Sequence, residues 1–128
     1  MTELRLPASL WAATATAAPP TLPLQADISV DVCVIGGGYA GLSTAIHLAK
    51  AGRSVQVLEA GDIGFGASGR SGGQVIPGIK YDPDQLETMF GPEAGRRAAL
   101  AFGSTAAKVF ELIDEFGIDC DDTRAGWV

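Results

Sequence analysis

Apolar positions change their spacing several times along the chain, and each spacing predicts an element. Residues 1–27 hold no lasting pattern. Pro7, Pro19, Pro20 and Pro23 interrupt them, so they read as an irregular arm with Leu6, Leu10 and Trp11 as candidate anchors. Val30 to Ile35 is a short apolar run with β-branched residues, which predicts a buried strand ended by Gly36-Gly37-Gly38. From Tyr39 to Ala51 the spacing becomes helical, with Leu42, Ala45, Ile46 and Ala49 three or four apart and Gly52 as the C-terminal cap. Ser54 to Leu58 reads as a second strand. Together these predict a β-α-β unit with parallel strands joined by a right-handed crossover, an α/β fold class.

Further on, Gly61 to Gly73 forms a glycine loop, and Gln74 to Ile79 reads as a short extended piece. Asp82-Pro83 predicts an N-cap followed by proline at the first helical position, with Leu86, Met89 and Phe90 on one apolar face. A second helix is expected from Pro92, stopped by Gly117. Its stripe of Phe102, Ala106, Val109, Phe110, Ile113 and Phe116 reads as a core face rather than a cofactor box. There is no internal repeat.

Composition adjusts this picture modestly. At 128 residues the chain has room for one small domain, and 47% apolar with 19% charged residues is an ordinary globular balance. Nine basic residues against 15 acidic ones give a net charge of −6, which disfavours nucleic acid as a partner. An anionic cofactor remains possible, because backbone N–H groups at a helix start bind anions without net positive charge. Cys33 lies in an apolar run and reads as a buried small hydrophobe; Cys120 sits among acids. Neither shows metal-ligand or redox spacing, so no metal site is expected, and a reducing, cytoplasmic location is the default. The apolar stretch Leu10 to Ala18 lacks a basic flank, and no run approaches the length of a membrane span.

Ten of the 17 glycines gather in two loops, Gly36 to Gly41 and Gly61 to Gly73, and there the candidate chemistry lies. Gly36-Gly37-Gly38-Tyr39-Ala40-Gly41 is a GxGxxG that follows a predicted strand and opens a predicted helix. Gly36 permits the tight turn, Gly38 lets a pyrophosphate approach the backbone, and Gly41 lets the helix pack on the strand. Tyr39 and Ala40 supply N–H groups at the positive end of the helix dipole. Glu59 ends the second strand, where a carboxylate accepts from ribose hydroxyls and repels a 2′-phosphate. A plain tight turn with a solvated Glu59 is the structural alternative. A nucleoside-triphosphatase loop is excluded, because Leu42 rather than Lys follows Gly41.

The second loop, Gly64 to Gln74, favours FAD over NAD, since a long flavin must be followed beyond its pyrophosphate. Ser68 and Arg70 offer a hydroxyl and a cation, while Gly72 and Gly73 allow backbone to approach a flat ring. A mobile surface loop is the alternative.

VCVIGGGYAGLSTAIHLAKAG followed by VLEAGDIGFGASGRSGGQ resembles the D-amino-acid-oxidase-like FAD-dependent oxidoreductases. The GASGRSGGQ loop is similar to that of a branch that includes gamma-glutamylputrescine oxidoreductases, although Ser71 stands where that branch often has Asn. SLWAATA in the arm, Gly117-Ile118-Asp119-Cys120 and Gly126-Trp127 fit the same branch. The resemblance implies cofactor roles for Gly36, Gly38, Tyr39, Ala40, Gly41 and Glu59 at the adenosine and pyrophosphate end. It implies that Ala67, Ser68, Gly69 and Arg70 run along the pyrophosphate and flavin, and that Gly72, Gly73 and Gln74 lie near the isoalloxazine. It implies oxidation of an amine or amino acid at a C–N bond, with hydride passing to the flavin.

On this reading, residues 1–27 are the arm and 28–128 part of a Rossmann-like FAD-binding domain whose substrate domain is absent. The chain is then expected to be an N-terminal fragment, inactive alone, with no catalytic residue of its own. His47, the only histidine, reads as a plain helix residue. Two other functions remain open: a non-catalytic nucleotide-binding fragment, and the NAD-binding domain of a dehydrogenase.

Overall fold

β1 (Val32–Ile35) and β2 (Val55–Leu58) run side by side in parallel in the computed structural model of the chain, which describes residues 5–126. Val32 pairs with Val55, Cys33 with Gln56, Val34 with Val57 and Ile35 with Leu58. Hydrogen bonds from Val32 N–H to the Ser54 carbonyl (3.2 Å) and from Gly36 N–H to the Leu58 carbonyl (2.8 Å) extend the ladder at both ends. β1 begins two residues later than the apolar run. The reason is Asp31, which exchanges hydrogen bonds with Ser54: Asp31 N–H donates to Ser54 Oγ (2.9 Å), and Ser54 N–H and Oγ donate to Asp31 Oδ2 (2.9 and 3.0 Å).

The chain divides at Gly72/Gly73 into two units. In the first, the strands are joined by a helix, Tyr39–Lys50, preceded by a short one, Leu10–Thr14; in chain order these are α2 and α1. The α2 crossover is the element that the 3–4 spacing predicted. It ends as expected, with Gly52 at φ +77° and Arg53 N–H reaching back to the Leu48 carbonyl. Val34 faces α2, where its side chain meets Gly41. The opposite face of β1 carries Cys33 and Ile35, which are exposed, Ile35 at 88%. Cys33 is thus not the buried hydrophobe that its apolar neighbours suggested. Strand alternation turns it away from the one helix that covers the pair.

The arm is not wholly irregular. Ser9 caps α1 by accepting from Ala12 N–H at 3.1 Å. Of its candidate anchors, Leu6 is tied down: its N–H donates to Asp62 Oδ2 (2.8 Å), and its side chain lies beside Gly69. Leu10 and Trp11 remain more than half exposed.

The second unit contains α3 (Pro83–Phe90), α4 (Pro92–Gly103) and α5 (Thr105–Phe116). Asp82 and Gln85 form a full capping box at the start of α3, as the Asp-Pro pair suggested. Leu86 is the one fully buried apolar residue among those described, and Gly95 of α4 packs directly against the backbone at Glu87. Residues 74–79 form no strand.

The long helix expected from Pro92 is two helices. Gly103 weakens the turn, Ser104 Oγ donates to the Ala101 carbonyl (2.9 Å), and Thr105 Oγ1 donates to the Phe102 carbonyl (2.8 Å). Two hydroxyls bonding back to the helix compete with its own ladder and break it there. The apolar stripe is only half covered: Phe110 and Ile113 are half-buried, while Phe102, Val109 and Phe116 are 36%, 40% and 49% exposed. Gly117, at φ +57°, ends α5. Among the described residues no helix is long and apolar enough to cross a membrane. Trp127, which the resemblance includes, lies outside the described residues.

Candidate functional site

The first glycine loop turns directly from β1 into α2. Gly36 has φ +105°, a conformation that favours glycine. A Cβ at Gly41 would overlap the Gly36 carbonyl oxygen, so glycine there is what allows the first turn of α2 to lie against the end of β1. Gly38 is the N-cap of α2 and has no side chain with which to cap it. The second loop supplies that cap: Tyr39 N–H donates to Ser68 Oγ at 3.0 Å. The Ser68 hydroxyl accepts there and keeps its own proton to donate. A Cβ at Gly38 would come 2.8 Å from the same oxygen.

Glu59 stands one residue past β2, half-buried, and its carboxylate is divided between two sets of donors. Oε2 accepts from Gly37 N–H at 2.7 Å; Oε1 accepts from Ala60 N–H (2.8 Å) and Gly61 N–H (3.2 Å). The Gly37 bond first, and then that from Gly61, hold the Glu59 carboxyl below the usual carboxylate range, with desolvation opposing them. Glu59 is therefore an acceptor at neutral pH; Oε1 is fully engaged by its two donors, and Oε2 keeps one free lone pair. α2 complements this charge layout, with no acid in its first turn and His47 and Lys50 in its last. His47 is exposed, with Nδ1 2.7 Å from the Ser43 carbonyl in its own helix.

The two loops are joined by backbone. Gly64 N–H donates to the Gly37 carbonyl (3.0 Å), and Gly69 N–H donates to the Gly64 carbonyl (2.8 Å). Ala67–Arg70 forms one 3₁₀ turn. Beyond it, the Tyr39 hydroxyl lies 3.1 Å from Ser71 Oγ, and Ser71 Oγ donates to the Ser68 carbonyl (3.3 Å). Ser71 thus keeps a polar link between the loops. The Arg70 guanidinium lies over the Phe65 ring, 5.5 Å from its centroid.

The structure brings together Gly36, Gly38, Tyr39, Ala40, Gly41, Glu59, Ser68 and Gly69. Ala67, Arg70 and Gly72 sit exposed on the outer part of the second loop. Gly73 and Gln74 open the second unit and are exposed there. Sequence reasoning passed over Gly37 and Ile63. Gly37 is the buried glycine of the loop, and a Cβ on it would come 2.7 Å from Ile63 Cδ1. Its place between two pattern glycines hid it, since the GxGxxG leaves that position free.

A family model described as FAD dependent oxidoreductase, DAO, matches residues 31–128. The chain is 45% identical over 118 residues to the gamma-glutamylputrescine oxidoreductase of Escherichia coli K12, covering 92% of this chain and 28% of that protein. It is 41% identical over 99 residues to a probable oxidoreductase, OrdL, of Haemophilus influenzae, covering 77% and 23%. A glycine oxidase of Bacillus licheniformis is 38% identical over 89 residues, covering 70% and 22%. The chain thus spans about a quarter of the length of these curated relatives. No solved structure matches it at a significant level.

Proposed function

The chain belongs to the FAD-dependent oxidoreductase (DAO) family, and on that footing we propose that its first unit holds the adenosine and pyrophosphate end of FAD in an enzyme that oxidises amines or amino acids. The observation that carries the reading is the meeting of Glu59 with Gly37, in the turn that opens α2, at the ends of two parallel strands. Two of the relatives are named for nitrogen compounds, gamma-glutamylputrescine and glycine, which supports a C–N bond as the target.

The residues present fit the cofactor. Bare backbone with open space beside it lines the turn at Gly36, while the spaces beside Gly38 and Gly41 are taken by Ser68 Oγ and the Gly36 carbonyl, which seat the start of α2 close against the turn. A pyrophosphate needs such a surface, with N–H groups at a helix start and no side chains in the way. In this assignment the first-turn N–H groups of α2 and the Ser68 hydroxyl donate to the phosphates. Glu59 accepts from a ribose hydroxyl through the free lone pair of Oε2. Ala67 to Arg70 continue along the pyrophosphate, and Gly72, Gly73 and Gln74 serve the flavin end. When bound there, FAD would supply the two-electron oxidant for a C–N bond, and the residues named would hold and orient it. No residue of this chain is assigned a catalytic role.

The test is titration of the purified chain with FAD and with NAD, followed by flavin fluorescence and by calorimetry. Saturable binding of FAD, and none of NAD, is expected. Binding of NAD without FAD sinks the reading in favour of a dehydrogenase domain.

A further inference from the structure

We propose that Glu59 is a positioning residue for the phosphate loop, acting through the Gly37 peptide, in addition to its contact with ribose. The proposal deepens the FAD reading and rests on it for the ligand's identity, but its mechanical part concerns this chain alone. The Gly37 residue is gripped on both sides. Its N–H donates to Glu59 Oε2 at 2.7 Å, and its carbonyl accepts from Gly64 N–H at 3.0 Å. Ile63 Cδ1 closes the space where a side chain would project. Gly64 in turn holds Gly69 through its own carbonyl, and the adjoining Ser68 holds Tyr39 N–H. A continuous hydrogen-bonded path therefore leads from the acid at the end of β2, through the first loop, to the second.

The other carboxylate oxygen explains why glutamate serves here. Oε1 is anchored by the Ala60 and Gly61 N–H groups, so the side chain is fixed at its far end and can hold the Gly37 peptide in one orientation. A carboxylate accepts at both oxygens. Glutamine accepts at one and turns N–H toward N–H at the other. Aspartate keeps the charge but, one methylene shorter, cannot span both donor sets. Glu59→Asp therefore separates position from charge.

The experiment is residue-resolved amide hydrogen exchange, by NMR, on the full chain without ligand. Wild type, Glu59→Gln and Glu59→Asp are compared, and FAD titrations are run in parallel. In wild type the Gly37 and Gly64 amides are expected to exchange more slowly than exposed loop amides such as Gly72. In both variants these two amides are expected to speed up about tenfold while β1 amides change little, which is loss of a local tether rather than global unfolding. FAD affinity is expected to fall with them. The proposal is overturned if Glu59→Asp protects Gly37 and Gly64 as wild type does, or if Gly64 is indifferent when Gly37 is freed. Should the variants unfold, wild type decides alone: fast exchange at Gly37 and Gly64 overturns the coupling, and slow exchange supports it. Failure of FAD to bind wild type would sink the proposed function and leave the exchange result standing.

Discussion

Tyr39 N–H donates to Ser68 Oγ at 3.0 Å, across 29 residues of sequence. The donor begins the helix that the fingerprint loop opens, and the acceptor lies in the second glycine loop. Under the FAD reading, Ser68 both completes the α2 N-terminus and extends it by one hydroxyl donor. Ser68→Ala is expected to weaken FAD binding about five- to tenfold, the worth of one ordinary hydrogen bond of about 1 kcal/mol. Ser68→Thr keeps the hydroxyl and should restore most of the loss. Calorimetric or fluorescence titration of the three proteins checks this, and equal affinity for Ala and Ser removes Ser68 from the site.

Gly41 presents a harder constraint. The atom that a Cβ would strike is the Gly36 carbonyl oxygen, part of the backbone and unable to rotate aside. Gly41→Ala should force α2 away from β1 at a cost of about 3 kcal/mol, the upper end of overpacking penalties. Loss of FAD binding should accompany it, because the same movement opens the phosphate turn. Thermal melts with and without FAD measure both effects. A variant that melts with wild type shows that the helix start can retreat freely.

The second unit offers a test independent of any ligand. Gly95 is buried, and a Cβ there would overlap the Glu87 backbone, so Gly95→Ala should separate α3 from α4. Asp82→Ala removes the capping-box acceptor of α3 and should cost about 1 kcal/mol. Chemical denaturation followed by circular dichroism should rank Gly95→Ala as the more damaging. The reverse order would mean that the helix pair depends on its cap more than on its contact.

The parts of this molecule legible in sequence are those with a local cause. Gly36 and Gly52 announce backbone conformations that other residues avoid, Gly41 announces a close approach of helix to strand, and the β-α-β order follows from them. Asp82-Pro83 and Gly117 mark helix ends for the same reason. Features that depend on distant partners were not legible. Cys33 looked buried because its neighbours are apolar, yet its exposure depends on which face of the pair α2 covers. The break at Ser104 has a local cause, two hydroxyls bonding three residues back, but the apolar spacing runs straight through it and hides it. Gly37 earns its role only through Ile63 and Glu59, 26 and 22 residues downstream, and no local pattern marks it.

Acid should loosen the first unit through two carboxylates. The Asp31 carboxyl is held below its ordinary range, chiefly by the Ser54 backbone N–H and then by its hydroxyl, and Glu59 by the Gly37 and Gly61 N–H groups. Each is depressed in the folded chain relative to the unfolded one. The stability each contributes is then fully present above the unfolded carboxylate range and is lost as pH falls through the lowered folded value. Both groups are solvent-exposed enough that the loss should be a gradual slope. Amide exchange or thermal melts between neutral pH and acid should show β1, β2 and the two glycine loops weakening as the carboxylates protonate. In Asp31→Asn the part of the slope centred on the strand starts should flatten, and in Glu59→Gln the part centred on the loops. A slope unchanged in both variants would place the acid sensitivity elsewhere.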